Sequence, residues 1–588
     1  MAERTADRIE PGPPPTDGDA DLAPDVWGFK DTAFTVLPNG RAMLTGARYA
    51  LSGIELPDLI PWVRATLGTD FSESATARGA YPPPVPAPTL SDGFVRAAKG
   101  IVGEKGFSLD PLARLRRGHG HTLDEMYAIK HEGITRIPDA ILFPASNDEV
   151  RRIVLAAAAH EVCLVPYGGG TSVTEALRCP LDETRMIVSV DLGRMNRILW
   201  IDRVNRTACI QAGAVGRHIT SQLAEHGFTL GHEPDSYEFS TLGGWIATNA
   251  SGMKKNRYGN IEDIVMDIEV VTAAGEVSRA TRTPRESIGP DPRRWVLGSE
   301  GTMGIITQAV VKVFPLPEVV EHDAMLFKSF EIGVAFLHDL SRSGEVPASV
   351  RLVDNLQFQL SQTLKGPAEG LAALKRRAEK YVVTKVKGFE PTAMVALTLL
   401  FEGTAAQVAR QRSVIAELAA KHGGMRAGAS NGEKGYQLTF GIAYLRDFVL
   451  KHGVMGESFE TAVEWTNVLA LCTGVKRRIA EECAARGVPG RPFVTCRVTQ
   501  VYQTGVCVYF YLGLSDEGLA HPLETYGALE AAARDEILTR GGSLSHHHGI
   551  GKRRQRFLSR VLSPAALEWA RAVKTTTDPR NIFGIGNL

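Results

Sequence analysis

The sequence is poor in cysteine, and its cysteines are far apart. It has 7 cysteines in 588 residues, and neighbours such as Cys472 and Cys483 lie at least eleven residues apart. This spacing excludes the paired CxxC motifs of structural zinc sites and of thioredoxin-like redox centres. A sparse and odd set of cysteines indicates reduced thiols in a cytosol-like compartment.

The sequence also lacks a charge bias, a long apolar run and a secretory signal. Lys plus Arg and Asp plus Glu both number 66, so no bulk charge recruits nucleic acid or an anionic bilayer. The longest apolar stretches, such as 394–401, are far shorter than the roughly 20 residues that span a membrane. The first 24 residues have no apolar core and no recognisable targeting signal. We expect a cytoplasmic protein, at most associated peripherally with a membrane.

Glycine, in contrast, is in excess. The chain has 59 glycines in 588 residues, one in ten against a usual share of about 7%. Because glycine lacks a Cβ atom, concentrated glycines bring backbone close to a ligand, whereas scattered ones mark flexible loops. Their distribution along the chain therefore carries more information than their number.

The first glycine cluster follows a predicted strand directly. Gly168, Gly169 and Gly170 precede Thr171 and Ser172, so backbone amides and hydroxyl groups can converge on an anion. The cluster has neither the GxGxxG of a Rossmann turn nor the lysine of a P-loop, which disfavours nicotinamide dinucleotides and nucleoside triphosphates. Taken alone it is equally compatible with a turn that binds nothing. Two further clusters of glycines and small hydroxyl residues, at 231–260 and 298–306, make the ligand interpretation stronger.

The order of predicted elements indicates an α+β protein. A proline-rich linker at 80–88 separates a short N-terminal region from the rest. From 136 to 317, short β-branched runs alternate with helical segments. Beyond 318, predicted strands at 393–401 and 506–512 alternate with helical stretches at 403–422 and 458–486. The last forty residues are again predicted to be helical.

The glycine clusters resemble the FAD-binding domain of the vanillyl-alcohol-oxidase, or para-cresol-methylhydroxylase (PCMH), superfamily. Segments 138–150 and 578–583 are similar to its opening and closing segments. The resemblance implies an α+β fold with a two-subdomain PCMH-type FAD-binding domain, an α/β cap domain with an antiparallel sheet, and an N-terminal helical extension. The expected parts are a disordered leader (1–26), a mostly helical N-terminal region (27–135), the FAD-binding domain (136–317), a substrate or cap domain (318–540), and a C-terminal segment that carries a histidine triplet and returns to the FAD domain (541–588).

Segments beyond the glycine clusters narrow the resemblance to the alkyldihydroxyacetonephosphate synthases, the flavoenzymes that form the ether bond of ether lipids. These segments are 114–131, 231–264, 347–354, 443–447, 495–499 and 543–549. The resemblance implies an alkylglycerone-phosphate synthase, a transferase that exchanges the acyl group of 1-acyl-dihydroxyacetone phosphate for a long-chain fatty alcohol. It implies a covalent flavin N5 adduct and no net redox change. The alternative is a FAD-dependent oxidase or dehydrogenase of the same fold that acts on a 2-hydroxy acid or a related alcohol.

The resemblance also assigns the cofactor contacts. Since no histidine lies in 167–173, we expect FAD to be bound non-covalently. The expected contacts fall in four segments: Tyr167, Gly168, Gly169, Gly170, Thr171, Ser172 and Val173; Asp235, Ser236, Tyr237, Glu238, Phe239, Ser240 and Thr241; Thr248, Asn249, Ala250 and Ser251; and Glu300, Gly301, Thr302, Met303, Gly304, Ile305 and Ile306.

The triplet His546, His547 and His548 is the leading candidate for proton transfer, because imidazole titrates near neutrality. A metal site is less favoured, since consecutive side chains point in different directions and no carboxylate or cysteine lies nearby in sequence; we expect no metal. The resemblance makes the triplet catalytic, with His232 as a further candidate. It places the acid/base tyrosine at Tyr509.

A tyrosine with an ordinary pKa near 10 would need a cation or the flavin beside it to act as a base. Tyr502 and Tyr511 are the alternatives to Tyr509.

Two arginines are candidates for substrate binding. Arg446 matches the family's substrate-binding arginine and could bind a phosphate or carboxylate through paired donors, although an ion pair with Asp447 is the alternative. Arg351 lies at a position that the family needs intact, in a binding or a structural role. Lys254 and Lys255 are expected to be solvated. The implied partners are the two substrates, a membrane surface and a second copy of the chain in a homodimer, with no nucleic acid.

Overall fold

The computed structural model describes residues 8–15, 21–71, 81–281 and 283–588. The N-terminal part combines a small antiparallel sheet with four helices, and its apolar side chains form a core with residues of the cap domain. Residues 59–67, whose apolar side chains recur with helical spacing, follow the sheet and form helix α1. The elements are β1 (Arg8–Ile9), β2 (Phe34–Val36), β3 (Ala42–Leu44), β4 (Glu55–Leu56), α1 (Leu59–Leu67), α2 (Asp92–Val102), β5 (Phe107–Ser108), α3 (Pro111–Arg117) and α4 (Leu123–His131).

The next region contains two main sheets that share one apolar core, and β11 and β15 form a separate two-stranded sheet. In the first sheet, three strands rich in β-branched residues are parallel and carry an antiparallel edge strand; the second sheet has six antiparallel strands. The elements are β6 (Ala140–Leu142), α5 (Asn147–His160), β7 (Cys163–Tyr167), β8 (Ile187–Asp191), β9 (Ile198–Asp202), β10 (Thr207–Gln211), α6 (Gly216–Glu225), β11 (Phe228–Thr229), α7 (Leu242–Thr248), α8 (Lys255–Tyr258), α9 (Ile261–Ile264), β12 (Val265–Thr272), β13 (Gly275–Val277), α10 (Arg293–Val296), β14 (Ile305–Lys312) and β15 (Phe314–Pro315).

The third region is built on a seven-stranded antiparallel sheet with the order β19-β16-β18-β17-β21-β22-β20. Strands β21 and β22 form a hairpin, and β22 also pairs along its whole length with β20. The elements are β16 (Val319–Phe327), α11 (Phe330–Arg342), β17 (Ser349–Val353), α12 (Asn355–Thr363), α13 (Gly370–Tyr381), β18 (Val395–Gly403), α14 (Ala405–Lys421), β19 (Met425–Arg426), α15 (Ala429–Lys451), β20 (Val454–Glu464), α16 (Val468–Ala485), β21 (Phe493–Val501), β22 (Gly505–Ser515) and α17 (Pro522–Thr539).

The C-terminal segment packs against the region of the two main sheets. Its helices are α18 (Gly551–Arg554), α19 (Leu558–Val561) and α20 (Pro564–Thr577). Ile582 and Phe583 are fully buried in the core of the first two sheets, and the Ile582 carbonyl accepts a hydrogen bond from the Leu164 amide at 2.7 Å. The chain therefore ends where its glycine-rich region begins.

The architecture confirms the α+β class and the antiparallel cap sheet expected from the sequence. Two expectations need correction. Arg8–Ile9, within the expected disordered leader, pairs with β9, whereas 1–7 and 16–20 lie outside the described residues. The predicted helix at 458–486 begins only at Val468. Its first residues belong to β20, because Phe459, Thr461 and Val463 alternate with period two.

Candidate active site

The first and second glycine clusters are in direct contact. A Cβ atom on Gly168 would lie 2.3 Å from the Thr241 hydroxyl oxygen, and one on Gly169 would lie 2.1 Å from the Phe239 carbonyl oxygen. Any side chain at these two positions would force the segments apart. Glycine thus places the loop after β7 against the N-terminus of α7, which Thr241 caps by accepting a hydrogen bond from the Gly244 amide.

Glu300 joins the third cluster to the first cluster and to the C-terminal segment. Its carboxylate accepts hydrogen bonds from the Thr174 hydroxyl at 2.6 Å and from the amides of Ile550 and Gly551 at 2.9 and 2.7 Å. The Glu300 amide donates to the Ala247 carbonyl, near the end of α7. Through these hydrogen bonds, the Glu300 carboxylate connects the loop after β7 with the start of α18.

The residues around these clusters fit an FAD. Thr171, Val173, Asp235 and Ser236 line a large cavity between the FAD-binding region and the cap sheet. The Asn249 side-chain oxygen is buried and has no hydrogen-bond partner among the described residues. Buried polar atoms are normally paired, so this atom is suited to a bound polar group. The glycine loop supplies the close backbone approach that an anionic pyrophosphate requires.

Other residues expected to contact FAD also have partners within the protein, and their contacts with FAD stay predictions. The Glu238 carboxylate accepts a hydrogen bond from the Tyr49 hydroxyl at 2.9 Å, and Phe239 packs against Trp27 and Phe29. Tyr237 packs against Phe440. Further expected contacts are buried in the protein or hydrogen-bonded within it: Ser240, Thr248, Ala250, Ser251, Thr302, Met303, Gly304, Ile305 and Ile306.

Tyr509 lies against the histidine triplet, 37 to 39 residues away in sequence. Its hydroxyl is 2.6 Å from His547 Nε2 and 3.2 Å from His548 Nε2. The fully buried carboxylate of Glu460 accepts hydrogen bonds from the backbone amides of His546, His547 and His548. Because Glu460 is paired with Tyr509 in the β20–β22 register, one sheet position supports both partners.

The environment of Tyr509 opposes ionisation. Burial and the carboxylates of Asp235 and Glu460 raise the pKa of Tyr509 well above its ordinary value, although the guanidinium of Arg497 lies 4.9 Å from the ring and offsets part of the rise. The sequence analysis requires a lowered pKa for a tyrosine base. In this structure the Tyr509 hydroxyl is neutral at pH 7 and is positioned to exchange its proton with His547.

The tertiary fold adds a cysteine to the histidine triplet. One potential ligand atom each from Cys507, His546 and His547 lies within 4.8 Å of the others, although no cysteine is near the triplet in sequence. The same histidine nitrogens are hydrogen-bonded to each other and to tyrosines. His232 is buried against Trp245, and neither ring nitrogen has a hydrogen-bond partner among the described residues. Burial and the neighbouring His547 lower the pKa of His232 to about 3.

Arg446 lies at the cavity wall with one donor unused. Arg446 donates a hydrogen bond to the His121 carbonyl oxygen at 2.7 Å and forms the expected ion pair with Asp447 at 3.3 Å. It also lines the cavity, so the ion pair leaves Arg446 in contact with the cavity. Its Nε atom is buried without a partner among the described residues. Burial opposes its charge, but Asp447 and Glu457 raise the pKa of Arg446. The side chain is a permanent cation that can bind an anionic substrate group.

Arg351 acts on the site through Asp235, which also contacts a residue that the sequence analysis does not single out. Arg351 Nη2 and Arg497 Nη2 each lie 3.2 Å from an Asp235 carboxylate oxygen. Arg497 also stacks over Tyr509 and Tyr511, 4.9 and 5.0 Å from the ring centroids. Arg497 lies opposite Tyr509 in the β21–β22 register, a pairing that only the folded structure shows.

Further differences concern one histidine of the cavity and two lysines. His121 lines the cavity, and its backbone amide donates to the Ser172 carbonyl in the glycine loop; inspection of 167–173 alone missed this histidine, and non-covalent FAD stays a prediction. Lys254, expected to be solvated, lies between Glu233 and Glu402 at 2.6 and 2.7 Å. Lys255 is half-buried and donates to the Val501 carbonyl.

The cavity is lined by polar and apolar side chains, and its volume is about 280 Å³. Its polar lining includes Tyr509, His547, His548 and Arg446. The apolar walls come from α1, α12, α15 and the cap sheet. Their side chains are Trp62, Val63, Leu67, Leu360, Ile442, Leu445, Val449, Val454, Phe493 and Leu512. Such a shape suits a small polar headgroup that carries a hydrocarbon chain.

Comparison with known proteins agrees with this geometry. Residues 138–281 match a family model described as FAD binding domain, and 316–588 match one described as FAD linked oxidases, C-terminal domain. The chain is 42% identical to an alkyldihydroxyacetonephosphate synthase of Caenorhabditis elegans over 96% of this chain and 94% of that one.

Two solved structures have the same fold. A solved structure of an alkyldihydroxyacetonephosphate synthase has a TM-score of 0.83 and 29% identity, and the match covers 97% of this chain and 99% of that one. A substrate-bound p-cresol methylhydroxylase has a TM-score of 0.64 and 16% identity, with 86% of this chain and 98% of that one covered. The second likeness concerns the fold alone.

Proposed function

The chain belongs to the FAD-linked alkyldihydroxyacetonephosphate synthase family, and from this premise we propose that its substrates are a 1-acyl-dihydroxyacetone phosphate and a long-chain fatty alcohol. The products are 1-alkyl-dihydroxyacetone phosphate and a fatty acid. The observation that carries the substrate assignment is a cavity lined both by Arg446 and Tyr509 and by many apolar side chains. In the proposal, the headgroup binds to the polar residues, and the hydrocarbon chains lie against the apolar ones.

Each of the polar residues has a distinct role in the proposal. The Arg446 guanidinium binds the anionic headgroup. Asp235 pairs with Arg351 and Arg497 and so positions Arg497 over the ring of Tyr509. Tyr509 takes the proton from C1 of the substrate, and His547 is in hydrogen-bond contact with Tyr509 to receive a proton in turn. When bound, FAD supplies an electron-accepting ring system.

A single assay tests the substrates. Purified FAD-loaded protein is incubated anaerobically with palmitoyl-dihydroxyacetone phosphate and labelled hexadecanol, and lipids are extracted and separated. We expect the label in an ether product that resists alkaline hydrolysis. No labelled ether, together with bleaching of the flavin by a 2-hydroxy acid, would instead show an oxidase or dehydrogenase.

We also propose contact with a membrane surface, because both substrates are lipids. No helix in the described part of the chain is long and apolar enough to cross a bilayer. Instead, α13 exposes Leu371 and Leu374, which are 86% and 64% accessible to solvent. The same segment, 370–387, carries six Lys and Arg residues and one acidic residue. Exposed apolar side chains among basic ones are typical of helices that lie in a membrane interface.

The proposed oligomeric state is a homodimer, which rests on the family resemblance alone. Size-exclusion chromatography with light scattering of the FAD-loaded protein measures it directly. A mass of about twice the 63.6 kDa of the chain is the expected result, and a monomeric mass at micromolar concentration would contradict it. The assignment of substrates does not depend on this outcome.

A further inference from the structure

An unbroken series of short hydrogen bonds connects the buried Tyr509 to a second tyrosine. The Tyr509 hydroxyl lies 2.6 Å from His547 Nε2, and His547 Nδ1 lies 2.7 Å from His546 Nδ1. The series continues from His546 Nε2 to the Tyr502 hydroxyl at 2.6 Å. Each imidazole uses one ring nitrogen toward each neighbour, so a proton can enter at one end and another can leave at the far end.

The bond between the two Nδ1 atoms fixes the direction of every donor in the series. A neutral imidazole has one N–H group, so only one of the two histidines can donate in this bond. If His547 donates from Nδ1, its Nε2 must accept from Tyr509, and His546 must donate from Nε2 to Tyr502. Burial lowers the pKa of both histidines, that of His546 to about 3, and keeps them neutral. The hydrogen bonds of the four residues can therefore all point in one direction or all in the other. Transfer of one proton along the series converts one arrangement into the other.

The series reaches toward the surface at the Tyr502 end. Tyr509 is 6% accessible to solvent, whereas Tyr502 is half-buried in the β21–β22 turn, beside the exposed Gln503 and Thr504. The Lys255 ammonium lies 3.5 Å from the centroid of the Tyr502 ring. This contact holds the ring by a cation–π interaction. Burial raises the pKa of Tyr502 above its ordinary value, so Tyr502 stays protonated and releases its proton only as it accepts another.

The other histidine near Tyr509 offers no such route. His548 Nε2 is 3.2 Å from the Tyr509 hydroxyl. Its Nδ1 atom has no hydrogen-bond partner among the described residues and faces the fully buried Glu460 at 3.6 Å. A proton passed in this direction would remain inside the protein.

We propose that Tyr502 is the outer end of a proton relay that runs from Tyr509 through His547 and His546 and exchanges the C1 proton of the substrate with bulk water. The relay rests on the proposed function and extends it to a residue without substrate contact. It also resolves the electrostatics of Tyr509, because a tyrosine that releases its own proton as it accepts another needs no standing phenolate.

The transfer balances in each direction. As the C1–H bond breaks, its electron pair stays on the substrate in conjugation with the C2 carbonyl, and the proton goes to the Tyr509 oxygen. The hydroxyl proton of Tyr509 passes to His547 Nε2, the Nδ1 proton of His547 to His546, and the Nε2 proton of His546 to Tyr502. The Tyr502 hydroxyl also lies 3.3 Å from Gln500 Oε1. Tyr502 releases its own hydroxyl proton to water at the half-buried turn. When a proton is returned to C1, the same steps run backward and restore both tautomers.

The test is the Tyr502→Phe variant, which removes one oxygen and leaves the ring beneath Lys255. FAD-loaded protein is assayed in D2O for ether formation and for deuterium at C1 of recovered substrate and product. We expect kcat and deuterium uptake to fall by about tenfold or more, with FAD content and KM unchanged. Because the site is half-buried, added imidazole should restore part of the deuterium uptake. Tyr81→Phe, which removes an equivalent oxygen far from the triplet in sequence, should match the wild type.

The outcomes separate the relay from the reaction. Wild-type kcat and deuterium uptake in Tyr502→Phe would overturn the relay, and so would a raised KM with kcat unchanged, which is the signature of a structural role. If the wild-type protein itself forms no ether product, the proposed function fails before any variant is compared.

Discussion

At the scale of single residues, the site depends on groups whose chemistry burial has changed. Tyr509 is the residue that the family resemblance places at the reacting carbon, and the structure surrounds it with histidines and Arg497. Its neighbours determine whether it can exchange protons at neutral pH. The consequences can be measured by removing one atom or one titrating group.

Removal of the Tyr509 hydroxyl should abolish turnover and leave the cofactor in place. We expect Tyr509→Phe to lower kcat by roughly 10²- to 10⁴-fold, as is typical for loss of a general acid or base. The ring still fills its site in the cap sheet, so FAD content should equal that of the wild type. Ether formation and flavin absorbance of the purified proteins provide the two measurements. Normal turnover would show that Tyr509 is not the acid/base residue.

Buried neutral histidines should make stability depend on pH. Burial lowers the pKa of His119 from 6.5 to about 4. Below pH 6.5 the unfolded chain binds a proton that the folded chain does not, so stability present above pH 6.5 is lost as the pH falls toward 4, by about 1.4 kcal/mol per pH unit. His119→Asn retains a donor for the Gly120 carbonyl and removes the titration. Between pH 7.5 and pH 5, its free energy of unfolding should fall by about 2 kcal/mol less than that of the wild type. Urea denaturation at the two pH values measures this. If the free energy of unfolding fell by the same amount in the variant and the wild type, the account would be contradicted.

At the scale of elements, the spacing of the apolar residues determined most predicted helices and strands. The wrong helix prediction at 458–486 arose where a strand spacing is followed by a helical one. Leu59–Leu67 has the helical period and forms a helix. At 458–464 the residues alternate with period two, and the strand β20 that they form lies beside β22 and supports Tyr509 through Glu460. The sequence analysis merged this strand with the helix that follows it. The pairing of β20 with β22, which local sequence does not encode, separates the two elements.

Helix α13 is the element expected to bind a membrane. The double variant Leu371→Glu, Leu374→Glu replaces two exposed apolar side chains. It should reduce co-sedimentation with anionic phosphatidylserine vesicles by about tenfold or more. The reason is that each apolar side chain contributes on the order of 1.5 kcal/mol or more when it is buried in the membrane interface. Turnover with detergent-dispersed substrates should not change. The exposed pair Val204→Glu and Ile288→Glu, elsewhere on the surface, is the matched control. Unchanged sedimentation of the α13 variant would exclude this helix as the contact.

At the scale of the whole molecule, the C-terminal segment holds the FAD-binding region together. Phe583 is fully buried in the core of the two sheets, and Phe583→Ala should reduce the free energy of unfolding by about 3–5 kcal/mol and lower FAD retention. Trp569→Ala, in the same segment but 70% exposed, should change stability by no more than about 0.5 kcal/mol. Chemical denaturation followed by flavin fluorescence measures both variants. A similar loss of unfolding free energy in the two variants would show that burial of Phe583 is not the source of the stabilisation.

The sequence by itself determined the class of fold, the cofactor and the family, because these depend on local features: glycine clusters, apolar periods and motifs. It also identified the histidine triplet and Tyr509 as candidates. Only the tertiary structure decided which of these residues meet. Arg497, Glu460 and Tyr502 join the site through strand pairing and loop packing between distant segments, and the burial that results sets the pKa of Tyr509. Contacts and desolvation depend on the folded arrangement of the whole chain. The excess of glycine could therefore indicate FAD, but it could not show which residues carry protons to and from Tyr509.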